Sequence, residues 1–123
     1  MQITVNALFA LQLALLFTHE MDAVYRKEWK MFIVLKDMND EKACRIFMLA
    51  HIPLYALLIL LLLSSFSKIG FYIADIFLIA HLFLHLGFRK NPANKMNNTL
   101  SKCIIISAGL LAFIHLILFT ILY

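Results

Sequence analysis

Four of the five histidines, His19, His51, His81 and His85, lie in or beside apolar segments, all placed near the same face of a membrane. An ionisable side chain is costly inside lipid, so several at one depth point to one site. His81 and His85 are four residues apart, which places both imidazoles on one helix face, the spacing with which two rings grip one cation. His19 and Asp22, three apart, share a face in the same way. Glu20 points about 100° away and is the candidate base for activating a bound water. The expected ligand set is His19, Asp22, His51, His81 and His85, with Glu20 catalytic. That set exceeds the four protein ligands of a tetrahedral zinc site. A second ion, a supporting role for some members, or iron or manganese in place of zinc all stay open. Zinc is the favoured divalent ion. A buried proton-carrying or structural network is an alternative, and haem is disfavoured, because its axial histidines must face each other across a wide slot.

The elements that must position these residues are membrane helices. Hydrophobic residues make up 63% of the 123 positions, beyond the usual share of a soluble domain. Four apolar stretches each approach the roughly 20 residues of a membrane-spanning helix. The expectation is one domain over 1–123, with spans at about 3–22, 43–63, 69–88 and 100–122. An interfacial helical extension over about 23–36 follows the first span. The first residues carry no positive charge and no small-x-small cleavage pattern follows, so the first span reads as retained rather than as a signal peptide. The fold class is therefore all-α, an integral membrane four-helix bundle running up-down-up-down.

The net charge of +4 raises the question of a nucleic-acid partner, and its distribution answers it. Arg26, Lys27, Lys30, Lys36, Lys42 and Arg45 flank the first link, Arg89, Lys90, Lys95 and Lys102 the third, and only Lys68 lies at the opposite side. Positive residues mark the cytoplasmic face, which puts both termini outside. An anionic leaflet attracts these charges, so membrane lipids are the expected partners, with no nucleic acid; a homo-oligomer stays open.

Local signals fill in the rest. Tyr25 and Trp29 suit one interfacial face, with Lys27 and Lys30 reaching for headgroups. Asn39 or Asp40 caps the second helix, and Asn97, Asn98 or Thr99 the fourth. Pro53 bends the second span beside His51. A tight turn is expected over 64–67, and Gly70, Ala74, Ala80, Gly87, Ser107, Ala108 and Gly109 permit close helix contact. Cys44 and Cys103 lack CxxC spacing and read as apolar filler rather than as a disulfide.

His19-Glu20-Met21-Asp22-Ala23 with Glu28-Trp29, then Phe47-x3-His51-x-Pro53-Leu54, then His81-x3-His85, resemble a group of uncharacterised small bacterial four-span membrane proteins. The resemblance covers nearly the whole chain. More distantly, the chain is similar to the class named for an HXXEE motif, departing from it with Asp22 and Ala23 where that motif has its two acids. The resemblance implies a four-helix fold in a bacterial cytoplasmic membrane and a functional His/acid set, with no assigned activity.

Asp75 and His115 form a separate, outer pair, with Asn6 expected nearby; a structural hydrogen bond is favoured there over a proton or ion step. Two functions compete. The first is metal-dependent hydrolysis of a lipid or other amphipathic substrate, with Glu20 or Asp22 as base. The second is an oligomeric ion- or proton-conducting transporter, channel or membrane effector. Ser101 and Ser107 are weak nucleophile candidates by depth alone.

Overall fold

The computed structural model describes residues 2–65 and 67–123, without the side chain of Gln2; Met1 and Phe66, the latter within the expected turn over 64–67, lie outside the described residues. Four long helices dominate: α1 (Gln2–Arg26), α2 (Asp40–Leu63), α3 (Ser67–Phe88) and α4 (Thr99–Leu122), with a short 3-10 turn at Glu28–Met31. No strand occurs among the described residues. All four helices are long and apolar enough to cross a membrane.

The side chains are distributed inside out. Leu63, Leu60 and Ile121 are 82%, 65% and 73% exposed, whereas the largest fully buried side chains are His19, His115, Gln12, Asp75 and Ser101. A water-soluble domain does the reverse. In lipid, apolar surface needs no cover and polar groups must find partners inside. That requirement is what holds this bundle's interior together.

Helix ends follow local chemistry. The Asn39 side chain accepts hydrogen bonds from the backbone N–H of Glu41 and Lys42, and the Asn98 side chain accepts from that of Ser101. Small residues set the packing distance: a Cβ on Gly109 would come within 2.8 Å of Leu82 Cβ, and Ala74, Ala108 and Ala112 are buried. Gly87 has nothing near it, and Ala80 and Ser107 are exposed, so these three do not serve as contacts. Cys44 and Cys103 are both free. α2 is peripheral. Of its residues only Ala43 and Phe47 are buried, and it meets α1 through Phe17–Tyr55 and Glu20–His51.

The helical extension expected over 23–36 stops early. α1 ends at Arg26, and Lys27 takes a left-handed conformation with φ 58°. That conformation costs a non-glycine residue about 1–2 kcal/mol. It turns the following 3-10 segment back on the bundle, where Glu28, Trp29 and Met31 are buried. Trp29 therefore sits in the core at 3% exposure while Tyr25 remains 77% exposed, so the two do not share an interfacial face. Lys27 and Lys30 both reach Asp40 at 2.6 Å.

The interior is layered along the helix axes, about one turn per layer. Ala23, Trp29, Met31, Ala43, Phe47, Met96 and Ile105 form an apolar cluster at one end. Next comes a polar layer containing His19, His81 and His85. A second apolar layer follows, made of Leu16, Leu78, Ala108 and Ala112. Gln12, Asp75 and His115 form the last polar layer.

Candidate metal centre

His81 and His85 are presented by successive turns of α3, and His19 enters from α1. The Nε2 atoms of His19 and His81 are 2.7 Å apart, and those of His81 and His85 are 3.2 Å apart. Glu28 completes the group from the 3-10 turn, with Oε2 3.7 Å from His19 Nε2 and Oε1 3.3 Å from His85 Nε2. One ligand atom from each of the four residues lies within 4.8 Å of the others. His19, Glu28 and His85 are buried, at 2%, 4% and 8% exposure.

The donor set fits a tetrahedral ion. Zinc–nitrogen bonds of about 2.0–2.1 Å imply donor separations of about 3.3–3.4 Å along a tetrahedron's edges. The two imidazole–imidazole separations, 2.7 and 3.2 Å, lie below that value, and the two to Glu28, made by its two different oxygens, are 3.3 and 3.7 Å. Hydrogen bonding alone serves the group poorly. Each Nε2 carries either one hydrogen or one lone pair, and His81 Nε2 is shared between two rings that Glu28 also engages. One cation at the centre satisfies all four donors together. At the far side of the His19 ring, Nδ1 is buried without a hydrogen-bond partner.

Burial opposes ionisation of Glu28, but the hydrogen bond from His85 and the positive potential of His19, His85 and His81 outweigh it. Its carboxyl is held below the ordinary value of 4.5. The group is thus ready as an anionic ligand.

A family model described as a family of unknown function, DUF6713, matches residues 5–122 of the sequence. The chain belongs to that family. No curated protein and no solved structure matches the chain. For this DUF6713 member the reading of the site rests on its own geometry.

The other residues singled out from the sequence lie elsewhere. His51 does not join the cluster; its Nε2 stands 3.0 Å from Glu20 Oε2, and its Nδ1 donates to the Phe47 carbonyl at 2.6 Å. Asp22 is not among the four donors of the cluster. It pairs with Arg26 at 3.3 Å and accepts a short hydrogen bond from Ser101, which ties α1 to the first turn of α4. Three rings of the expected set come together, and the fourth donor, Glu28, was not in it. Its position beyond the apparent end of the first span concealed it.

The Glu20–His51 pair is nevertheless close to the centre. One cavity of about 370 Å³ is lined by Glu20 and His51 together with Glu28 and His81. A second, apolar one of about 160 Å³ runs from Glu20 and His51 past Leu54 and Leu58 to Leu61 and Ile73.

In the distant polar layer, His115 Nδ1 and Gln12 Nε2 both donate to the Asp75 carboxylate, at 2.8 and 2.6 Å. The span-one partner is Gln12, one to two turns beyond Asn6, which is exposed.

Proposed function

We propose that this chain is a multi-pass membrane protein that binds one divalent ion, zinc by preference, through His19, Glu28, His81 and His85. We further propose that it hydrolyses an acyl ester or amide of an amphipathic substrate. The observation that carries the first part is the convergence of four donor atoms within 4.8 Å in a buried layer. The second is supported by the cavity that Glu20 and His51 share with Glu28 and His81.

When bound, the ion supplies Lewis acidity towards a carbonyl oxygen and a water. Glu20 lies on the cavity wall to receive the water proton as the water oxygen bonds to the acyl carbon. Glu20 then returns that proton to the leaving oxygen or nitrogen as the acyl bond breaks, and His51, fixed by its bond to the Phe47 carbonyl, holds the Glu20 carboxyl in place through Nε2. The apolar cavity towards Leu61 suits the substrate's hydrocarbon part.

Side-chain pairs such as Phe9–Phe71, His51–Glu20 and His115–Asp75 support an up-down-up-down order of the helices. Ten of the eleven Lys and Arg residues flank the links at the metal-site end, which favours a cytoplasmic orientation for it and an outer one for both termini. The bacterial inner membrane is the expected location by resemblance. A conduction role has less support, because the apolar layer of Leu16, Leu78, Ala108 and Ala112 separates the two polar layers.

The test uses detergent-purified protein with a panel of fluorogenic acyl esters and acyl amides. Glu20→Gln is expected to keep the wild-type metal content and lose about 10²-fold or more in rate. His81→Ala/His85→Ala is expected to lose both. Undiminished turnover in Glu20→Gln contradicts the role given to Glu20, and a metal-free wild-type protein contradicts the centre itself.

A further inference from the structure

The two polar links at the metal-site end differ in charge. Around the first, cations find acids: Arg26 pairs with Asp22, Lys27 and Lys30 with Asp40, and Arg45 with Glu41. Around the third, Arg89, Lys90, Lys95 and Lys102 stand with no acidic side chain anywhere after Asp75 in the sequence. Among the described residues neither Arg89 nor Lys102 makes an ion pair.

Both of these cations line a cavity of about 260 Å³ between α3 and α4. Asn94 and Asn97 add amides to its wall, and the apolar side chains of Leu86 and Ile106 complete it. His85, whose Nε2 belongs to the metal cluster, also lines it. This chamber reaches the centre from a different side than the Glu20–His51 cavity. It combines uncompensated positive charge, the Asn97 amide and an apolar wall at the end of two membrane helices, while the Asn94 amide is engaged with the Phe88 carbonyl and the Met96 N–H.

We infer that this chamber binds the phosphate of an anionic phospholipid, seating the headgroup between Arg89 and Lys102 and beside His85. Charge complementarity selects the anion, since the chamber has two cations and no carboxylate. The apolar wall of Leu86 and Ile106 selects an anion with hydrocarbon attached. Arg89 supplies a planar fork suited to phosphate oxygens, and Lys102 a point charge. The site rests on the proposed metal centre only for the neighbour that His85 brings. Lipid binding itself requires no ion.

The experiment places the full chain in phosphatidylcholine nanodiscs containing a minor fraction of phosphatidylglycerol and counts retained lipids by native mass spectrometry. Wild type is expected to retain phosphatidylglycerol in preference to phosphatidylcholine. Arg89→Gln/Lys102→Gln is expected to lose that preference by on the order of tenfold. Lys90→Gln/Lys95→Gln, which removes the same charge outside the chamber, is expected to keep it. Equal losses in the two double variants reveal diffuse surface attraction and overturn the site. Displacement of the retained lipid by millimolar inorganic phosphate or glycerol phosphate assigns the chamber to a soluble anion and overturns the lipid assignment. Metal content, measured on the same samples, reports separately on the metal centre: the chamber can fail with the ion in place, and the converse.

Discussion

Glu28 Oε1 stands 3.3 Å from His85 Nε2, so the carboxylate that closes the cluster comes from a one-turn 3-10 segment and not from any of the four long helices. The three histidines share two helices, α1 and α3. Glu28 adds the anionic donor and the only ligand whose position depends on the first link.

Replacing Glu28 with Gln removes the negative charge while keeping the shape. Loss of at least 10–100-fold in affinity for zinc is expected, since removing residues that merely support metal ligands already costs about that much. Competition titration with a chromophoric chelator measures it. Unchanged affinity would separate Glu28 from the ligand set.

Lys27 sets the direction of the chain into Glu28 through its left-handed backbone. Glycine adopts that conformation without strain, whereas a β-branched residue strongly resists it. Lys27→Gly is therefore expected to bind zinc within about twofold of wild type, and Lys27→Val to bind it at least tenfold more weakly. Equal affinities in the two variants would show that the left-handed residue does not position Glu28.

Acid should reveal Glu28 in the metal-free protein. Its folded value lies below the ordinary 4.5. A carboxyl shifted down contributes stability that is fully present above its unfolded value and is lost as pH falls through the folded one. In excess chelator, the excess in melting temperature of wild type over Glu28→Gln is expected to shrink as pH falls through the acid range below about pH 5. A margin that grows as pH falls has the wrong sign for this account.

The polar skeleton was largely legible in the sequence, for a physical reason. Lipid permits few ionisable residues, so His19, His81 and His85 stand out against an apolar background, and an i,i+4 spacing fixes a shared face. Four apolar helices follow from the same contrast. What escaped depended on backbone geometry without a residue signature. A glycine or proline after Arg26 would have announced the end of α1, but Lys27 carries no such signal. Glu28 therefore fell within the expected interfacial extension and, although it stands with Trp29 in the signature, outside the expected ligand set, while Trp29 and Met31 are in fact buried beside it. The pairing of His51 with Glu20, and of Asp22 with Ser101, depends on which helix faces which, and depth alone does not decide that.

The outer triad offers an independent check on the division into layers. Asp75→Asn weakens the bond to His115, and about 1–3 kcal/mol of stability is expected to go with it. Metal content should stay at the wild-type level, since the layer of Leu16, Leu78, Ala108 and Ala112 intervenes. Thermal unfolding in detergent and elemental analysis of the same preparation measure both quantities. Loss of metal in Asp75→Asn would mean that the two polar layers act as one.

The most direct measurement is X-ray absorption spectroscopy at the metal edge, with elemental analysis, on wild-type protein purified without chelators. The account predicts one divalent ion per chain, with three imidazole nitrogens and one carboxylate oxygen at about 2.0–2.2 Å, and no stoichiometric ion in His81→Ala/His85→Ala. A wild-type protein free of stoichiometric metal, or a double variant that keeps its ion with unchanged ligands, would contradict it.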